Sequence, residues 1–306
     1  MALPRVSIEN VRCDKGQRKQ VCRQSSTRGK DYNMVQEQQP ALTLFSIGMI
    51  AIGALMVIYQ DFAYGWQPVP AFHPGRELLA VICGLLLIAA SAALLFPATA
   101  TVAARALVPY LLAWLCLKIP RLLEAGQIEG VWIAFGEISM LLAGGLVLFA
   151  RLSELKDSAF FDRLTGQRGI RIAQIIFGLG VIPVGLGHIF YVDITASLVP
   201  SWLPFRVALA YLTGIGQILC GLAILFSLFP RVAALIETAM VALFAFLVWG
   251  PDTWFATIPK MAGTPPGIRF PLTAFLITWV VGASALLIAN NSRRGGEDIR
   301  WTKQLQ

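Results

Sequence analysis

Eight stretches of this chain are apolar enough and long enough to cross a lipid bilayer as helices. Such a span needs about 20 residues, because each helical residue advances about 1.5 Å through a hydrocarbon layer of about 30 Å. Hydrophobic residues make up 57% of the 306 positions and charged residues 14%, too apolar for a soluble domain. Barrel strands would instead alternate polar and apolar residues in shorter segments. We therefore predict an all-α membrane protein with spans at 41–59, 78–96, 101–118, 131–150, 171–191, 207–229, 232–250 and 270–290.

One segment of the chain occurs twice, at a constant offset of 130 residues. Residues 69–104 and 199–234 share 14 identities in 36 ungapped positions, and both copies begin Val-Pro-x-x-x-Pro-x-Arg. Each repeat unit holds four spans, and an even number of spans returns the chain to the side where it began. We therefore predict two parallel-oriented four-helix repeats, related by an axis along the membrane normal.

The repeat divides the chain into five parts. They are a polar cytoplasmic tail at 1–40, a first repeat at 41–150, a linker at 151–170, a second repeat at 171–290 and a tail at 291–306. The stretch 1–33 is polar and unpatterned, which is typical of a disordered tail. Met34 is an alternative start of translation, directly before the first span.

Positive charge is distributed unevenly between the two sides of the predicted topology. If the N-terminus is cytoplasmic, the tails and inner loops hold 19 of the 25 Lys and Arg residues. The positive-inside rule then places both termini in the cytoplasm. We expect a location in a bacterial inner membrane, with the lipid bilayer as the surrounding partner. This asymmetry accounts for the net charge of +8, so no nucleic-acid partner is implied.

The sequence contains no motif for a metal, a cofactor or a catalytic centre. The five cysteines include no Cys-x-x-Cys and no pair in an outer loop, which disfavours thiol–disulfide exchange. The only histidines, His73 and His188, have no second ligand at a useful spacing. No nucleophile–base set is recognisable, so we do not expect an enzyme.

Two carboxyl groups within apolar runs are candidate functional groups, Glu137 in the fourth span and Glu237 in the seventh. A lone carboxyl there is costly, so it must face the bundle interior, pair with another group, or be neutral. Each is interpreted either as a proton or ligand site or as a hydrogen-bonded structural group. Leu107 stands opposite Glu237 at the repeat offset, so the sequence gives no support for a symmetric pair of carboxylates.

Three further polar residues are candidate ligand contacts at the outer side. Arg76 and Arg206 occupy equivalent positions in the two copies, at the outer start of the second and sixth spans. They would bind anionic head groups or a small acid, or serve only as interfacial anchors. His188, near the outer end of the fifth span, is either a proton carrier or quinone contact, or an ordinary interfacial histidine.

Several short motifs resemble the DoxX-like membrane family. They are the outer Val-Pro-x-x-x-Pro loop, Gly187-His188-x-Phe190, Ala-Tyr-Leu-Thr-Gly at 210–214, Gly-Leu-Ala-Ile-Leu at 221–225 and Arg-Val-Ala-Ala-Leu at 231–235. The resemblance covers nearly all of 41–290, as a tandem duplication of a unit usually found singly. It implies a four-helix bundle for each repeat. Some family members are membrane subunits associated with thiosulfate:quinone oxidoreduction or other redox partners, and many have no assigned role.

Two functions are compatible with these features. The first is a non-catalytic membrane component associated with a redox partner, quinone- or sulfur-linked. The second is a small-molecule carrier with its site between the two repeats. A carrier brings several polar groups together near the bilayer midplane, whereas the sequence places polar residues mainly near the span ends. This favours the first function. Nothing in the sequence indicates the oligomeric state.

Overall fold

A computed structural model describes residues 39–70, 72–152, 164–251 and 267–292. The predicted tails, most of the linker and part of the last outer loop lie outside the described residues. Met34, the alternative start of translation, lies outside them as well. All regular secondary structure in the described ranges is helical.

Eight helices in the described ranges are long and apolar enough to cross a membrane, as predicted. They are α1 (Gln39–Tyr59), α2 (Arg76–Ala93), α3 (Ala100–Ala125), α4 (Glu129–Leu152), α5 (Gly166–Phe190), α6 (Arg206–Leu225), α7 (Pro230–Trp249) and α8 (Arg269–Asn291). The chain is a multi-pass, all-α membrane protein. A short helix, Val192–Leu198, follows α5 and was not predicted.

Several span boundaries differ from the prediction, and two of the larger differences have local reasons. α3 continues past 118 to Ala125, because the ammonium of Lys118 donates to the carbonyl of Gly65 and its charge therefore has a partner. α6 ends at Leu225 rather than 229, because Ser227 adopts a left-handed conformation (φ 58°) and Pro230 begins α7. Proline suits the first position of a helix, where its missing N–H would have no partner in any case.

The connecting segments gather at two ends of the bundle. At the end that we call the loop end, which holds 60–75 and 191–205, the start of α8 bonds to the α1–α2 loop through Arg269 and Asp61, 2.6 Å apart. At the opposite end, the linker end, Arg151 of α4 donates to Asn291 of α8 at 2.5 Å. α4 and α8 therefore run side by side in the same direction.

Glycines permit close contact of α1 with α2 and of α5 with α6. A methyl group added at Gly53 would lie 2.8 Å from the carbonyl oxygen of Gly84, and one added at Gly185 would lie 2.6 Å from that of Gly214. Within the bilayer, small residues allow this approach where lipid supplies no hydrophobic drive for association. Gly84 and Gly214 occupy equivalent positions in the two copies at the offset of 130.

The first helix of each half packs against the last helix of the other half. Gly180 of α5 lies against Ser139 and Met140 of α4, and Gly48 of α1 lies against Trp279 and Val280 of α8. The α1–α8 contact is reinforced by Trp279, whose indole N–H donates to the carbonyl of Leu44 at 2.9 Å. Each half of the chain thus depends on the other for part of its packing.

Contacts of the same kind recur in the two halves at three different offsets. The offset is 130 residues for α2 and α6, 132 for α1 and α5, and 140 for α4 and α8. At 132, the identical pairs are Ala41/Ala173, Phe45/Phe177, Gly48/Gly180, Ile50/Ile182, Gly53/Gly185, Tyr59/Tyr191 and Asp61/Asp193. Glu137 therefore corresponds to Ile277, not to the residue 130 positions away.

Candidate functional site

A cavity of about 360 Å³ lies between α4, the last helix of the first half, and the helices of the second half. Its walls come from α4 to α8 and from the short helix 192–198, and most of the lining side chains are apolar. The polar side chains among them are Glu137, His188, Tyr191, Thr195, Gln217 and Thr278. This volume falls in the range of small-molecule sites, which are mostly apolar with a few placed polar groups.

The cavity extends from the loop end towards the middle of the bundle. Tyr191 and Trp249 line it near that end, and Gln217 lines it at depth. Gln217 lies about 16 Å along α6 from Arg206, at about 1.5 Å per residue. Since α6 has 20 residues, this places Gln217 near the middle of its span.

Glu137 contributes a carboxyl group to the wall formed by α4. Close contact of Gly136 with Gly180 brings α4 and α5 together beside it. Electrostatic attraction links Glu137 to Lys118 of α3, although no ion pair within 4 Å connects them in the described ranges. Glu137 thus lines the cavity, and the cation of Lys118, which does not line it, is near enough to attract the carboxylate.

His188 lies between this cavity and a second one of about 230 Å³. Its Nδ1 is 3.1 Å from the hydroxyl of Thr213, and its ring packs edge-on against Phe244 with centroids 5.4 Å apart. The second cavity is lined by α5, α6, α7 and the segment 198–203. His188 and Phe244 thus form part of the partition between the two spaces.

Gln217 and Glu237 form a buried polar pair. The Gln217 amide donates to Oε1 of Glu237 at 3.4 Å, and the two residues are 2% and 0% exposed. Within the described ranges, Gln217 Oε1 and Glu237 Oε2 are buried without a hydrogen-bond partner. Gln217 lines the cavity, and Glu237 lies behind it on α7. A polar pair at this depth is costly in hydrocarbon, so it requires an explanation other than packing.

The first half of the chain carries leucines at both equivalent positions. Leu87 corresponds to Gln217 and Leu107 to Glu237 at the offset of 130, and both leucines are buried. The sequence prediction recognised Leu107 opposite Glu237 but missed Gln217. The exchange of Leu87 for Gln217 in the ungapped repeat alignment was the signal that would have revealed it.

π-Helical geometry occurs at the end of α7, over Ala245–Trp249. Phe244, directly before it, and Trp249, its last residue, both line the cavity. Such single turns interrupt the regular hydrogen-bond ladder and are frequent at functional sites. The wall of the cavity near the loop end is therefore built on irregular helix.

The two equivalent arginines have different surroundings. Arg76 pairs with Asp61 at 2.5 Å, donates to the carbonyls of Val69 and Pro70, and lies over the Phe62 ring. Arg206 is exposed and has no ion pair in the described part of the chain. Neither arginine lines the cavity at Gln217. The structure therefore does not bring Arg76 and Arg206 into one site.

Asp61 is the centre of a charged cluster at the loop end. It accepts from Arg76 and from Arg269, and its carboxylate also accepts the backbone N–H of Phe62 at 2.8 Å. Burial raises the pKa of Asp61. The hydrogen bonds from Arg269 and Phe62, with the attraction of Arg269 and Arg76, outweigh that effect and hold the pKa below its ordinary value.

Within the described ranges, no group of three or more His, Cys, Asp and Glu side chains lies close enough together to hold a metal ion. The three cysteines in these ranges, Cys83, Cys116 and Cys220, have free thiols.

The expectation that polar groups cluster near the span ends is wrong for the second half. Gln217 lies in mid-span, and Glu237 lies about 10 Å from the start of α7. With Glu137 and Thr278, these groups converge from four different helices. The argument against an internal binding site therefore no longer holds.

Comparison with known proteins identifies one family. Residues 178–284 match a family described as a domain of unknown function (DUF8561), which is less than half of the chain. The matched stretch includes His188, Gln217, Glu237 and Thr278, but not Glu137. No curated protein and no solved structure matches the chain.

Proposed function

We propose that this protein binds a small, mostly apolar molecule with a hydrogen-bonding head group, and carries it within the membrane. The observation that supports this proposal is the cavity of about 360 Å³ in which Glu137, His188, Gln217 and Thr278 meet. Its walls combine α4 of the first half with α5 to α8 of the second. The site thus lies between the two units, where parallel-repeat transporters bind their substrates.

The lining suggests the chemistry of the ligand. Apolar side chains dominate, so a flat or branched hydrocarbon body fits the walls. Only a few hydrogen-bonding groups are present, so one or two carbonyl or hydroxyl groups suffice as partners. Quinones and phenols belong to this class.

Association with a redox partner is a second proposal. A quinone would give a non-catalytic membrane component a direct role beside a quinone- or sulfur-linked enzyme, as the DoxX-like resemblance implies. Copurification from native membranes, followed by mass spectrometry, separates the two proposals. A carrier requires no stable redox partner, whereas a subunit requires one.

We further infer the architecture around the cavity. Two parallel four-helix repeats, related by an axis along the membrane normal, account for the contacts at Gly53/Gly84 and Gly185/Gly214 and for the parallel α4 and α8. In this arrangement the loop end faces outward and both termini are cytoplasmic, because that places most basic residues inside. A bacterial inner membrane is the proposed location.

Binding of menadione to the purified protein tests the function. Menadione is a compact quinone, and quenching of tryptophan fluorescence reports its arrival near Trp249. We expect a dissociation constant on the order of 10 μM, because a small ligand gains about 0.5 kcal/mol per heavy atom. Saturable binding supports the proposal.

Two substitutions at one position provide the control. Thr278→Phe adds a ring to the cavity wall and is expected to weaken menadione binding at least tenfold. Thr278→Val keeps the volume and is expected to bind within about threefold of the wild type, because only one hydroxyl is lost. Equal binding by the wild type and Thr278→Phe would show that menadione occupies another place, and the proposed site would be wrong.

A further inference from the structure

Beyond the proposed binding function, on which this inference rests, the Gln217–Glu237 pair has a feature that packing does not explain. Two acceptor oxygens, Glu237 Oε2 and Gln217 Oε1, are buried together in the described structure without donors. The equivalent leucines in the first half show that this place in the fold accepts an apolar pair. An unpaired buried acceptor costs about 1–3 kcal/mol, so retaining two of them calls for a chemical role.

A single proton supplies the donor that the pair lacks. With a proton on Oε2, the acid O–H donates to Gln217 Oε1 while the amide still donates to Glu237 Oε1, which closes an acid–amide ring. The second N–H of Gln217 then remains free to donate into the cavity. Without the proton, Gln217 Oε1 has no donor and faces the ionised Oε2, which repels it. The amide then turns so that both of its N–H groups donate to the carboxylate and its oxygen faces the cavity as an acceptor.

We propose that Glu237 is a proton-binding site that sets, through Gln217, whether the cavity floor donates or accepts a hydrogen bond. A ligand that carries only acceptors, such as a quinone carbonyl, then binds together with one proton. That proton comes from water and returns to water when the ligand leaves. No covalent bond to the ligand forms or breaks.

Four other titratable or charged groups lie near the pair or line the same cavity, on α4 to α7. On α6, Cys220 interacts electrostatically with Glu237. α8 has no titratable side chain between Phe270 and Asn291, and on α7 itself Arg231 lies more than a turn away. Glu137 and His188 line the same cavity and are the groups that the experiment must separate from Glu237.

The pH dependence of menadione binding tests the proposal. Menadione accepts but does not donate hydrogen bonds, so its affinity is expected to be highest at low pH. Above the pH at which Glu237 of the ligand-free protein is half protonated, the affinity falls about tenfold per pH unit, as linkage to one proton requires. Weakly buffered solution should show uptake of up to one proton per menadione bound. 2-Naphthol, which donates as well as accepts, is expected to change less than twofold over the same pH range.

Variants of the pair identify the group that titrates. Glu237→Gln carries a permanent N–H donor in place of the acid, so it is expected to bind menadione with the low-pH affinity at every pH. The double variant Gln217→Leu/Glu237→Leu copies Leu87 and Leu107 of the first half, so it is expected to fold. It should bind menadione weakly and without pH dependence.

Three results would overturn the inference. In the first, the wild type binds menadione at every pH with the same affinity, and Thr278→Phe weakens this binding. That result would refute proton coupling but would still support the proposed binding function. Retained pH dependence in Glu237→Gln would assign the titration to Glu137 or His188. No menadione binding at any pH would refute both the proposed function and this inference.

Discussion

At the scale of single residues, Asp61 shows how one carboxylate connects three parts of the loop end. It links the α1–α2 loop to the first residues of α2 and of α8 through Arg76 and Arg269. Its side chain is 27% exposed, so solvent screening is partial. The cluster thus ties the first half of the chain to its last helix.

Asp61→Asn is expected to lower stability at neutral pH by about 1.5–3 kcal/mol, the usual contribution of hydrogen bonds to charged groups. Because the folded pKa of Asp61 is depressed, its contribution is complete above the unfolded value of about 3.9 and disappears as pH falls through the folded pKa. Thermal unfolding in detergent from pH 7 to 3 should show the two proteins converging in acid.

Asp193 provides the matched control for that experiment. It corresponds to Asp61 at the offset of 132 and is exposed without an ion pair in the described ranges. Asp193→Asn is expected to change stability by less than about 0.5 kcal/mol, as surface substitutions usually do. A loss equal to that of Asp61→Asn would contradict the assignment of the effect to the arginine cluster.

The buried pair of the second half can be transplanted to the first. Leu87→Gln places an amide beside Leu107 with no partner there, so it is expected to cost about 1–3 kcal/mol. Leu87→Gln/Leu107→Glu restores the Gln217–Glu237 combination and should cost less than the sum of its single changes. Thermal unfolding of the four proteins gives the coupling energy as a double-mutant cycle.

Residue chemistry was only partly visible in the sequence. Glu237 was identified because a carboxyl in an apolar run is conspicuous, whereas Gln217 is uncharged and did not stand out. Arg76 and Arg206 are equivalent in the sequence, but of the two only Arg76 has an ion-pair partner among the described residues. The difference arises in part from the helix that packs against the first helix of each half. Beside the first half this helix is α8, whose Arg269 pairs with Asp61. Beside the second half it is α4, which has Glu129 at the place that corresponds to Arg269.

At the scale of helices, glycines determine how closely the spans approach. In α5, Gly178 and Gly185 face α6, whereas Gly180 and Gly187 face α4. Each pair is seven residues apart, two helical turns, so one helix presents a smooth surface to neighbours on both sides.

Gly214→Ala is expected to destabilise the α5–α6 contact. Its methyl group would lie 2.7 Å from the carbonyl oxygen of Gly185 and 2.8 Å from the Cβ of His188, and backbone cannot move aside cheaply. Overpacking of this kind costs about 1–3 kcal/mol. The loss should appear as a lower midpoint of thermal unfolding in detergent.

Gly216→Ala, two residues along the same helix, is the control. Its methyl group would meet the flexible side chain of Met240 at 3.6 Å, an ordinary contact. The gain in helix propensity, up to about 1 kcal/mol, should leave stability equal or higher. If both variants lose the same stability, the close approach of α5 and α6 is not the cause.

The existence of every span was predictable, because hydrophobic runs of this length have few alternatives. The boundaries were less so. The sequence prediction ended α3 at Lys118, but the ammonium of Lys118 donates to the carbonyl of Gly65, and the helix continues. The short helix 192–198 escaped notice because a seven-residue element has no extended hydrophobic pattern. The cavity could not be foreseen, since it depends on side chains from five spans.

At the scale of the whole molecule, the proposed orientation predicts which positions a membrane-impermeant thiol reagent reaches. In a variant without native cysteines, Gly65→Cys and Ser197→Cys at the loop end should be labelled from outside intact cells. Leu228→Cys at the linker end should react only after the membrane is opened. Protection of both loop-end cysteines from the reagent would show that the orientation is the opposite one. Protection of only one of them would contradict parallel repeats.

The contact between α1 and α8 has a consequence for biogenesis. Leu44 and Trp279, whose hydrogen bond joins these helices, are 235 residues apart in sequence. The ribosome makes α1 before α8, so the surface around Gly48 is exposed to lipid, or covered by a temporary neighbour, while α2 to α7 are made. The α1–α8 contact therefore forms only after α8 enters the membrane, and a chain truncated before α8 leaves α1 without this packing partner.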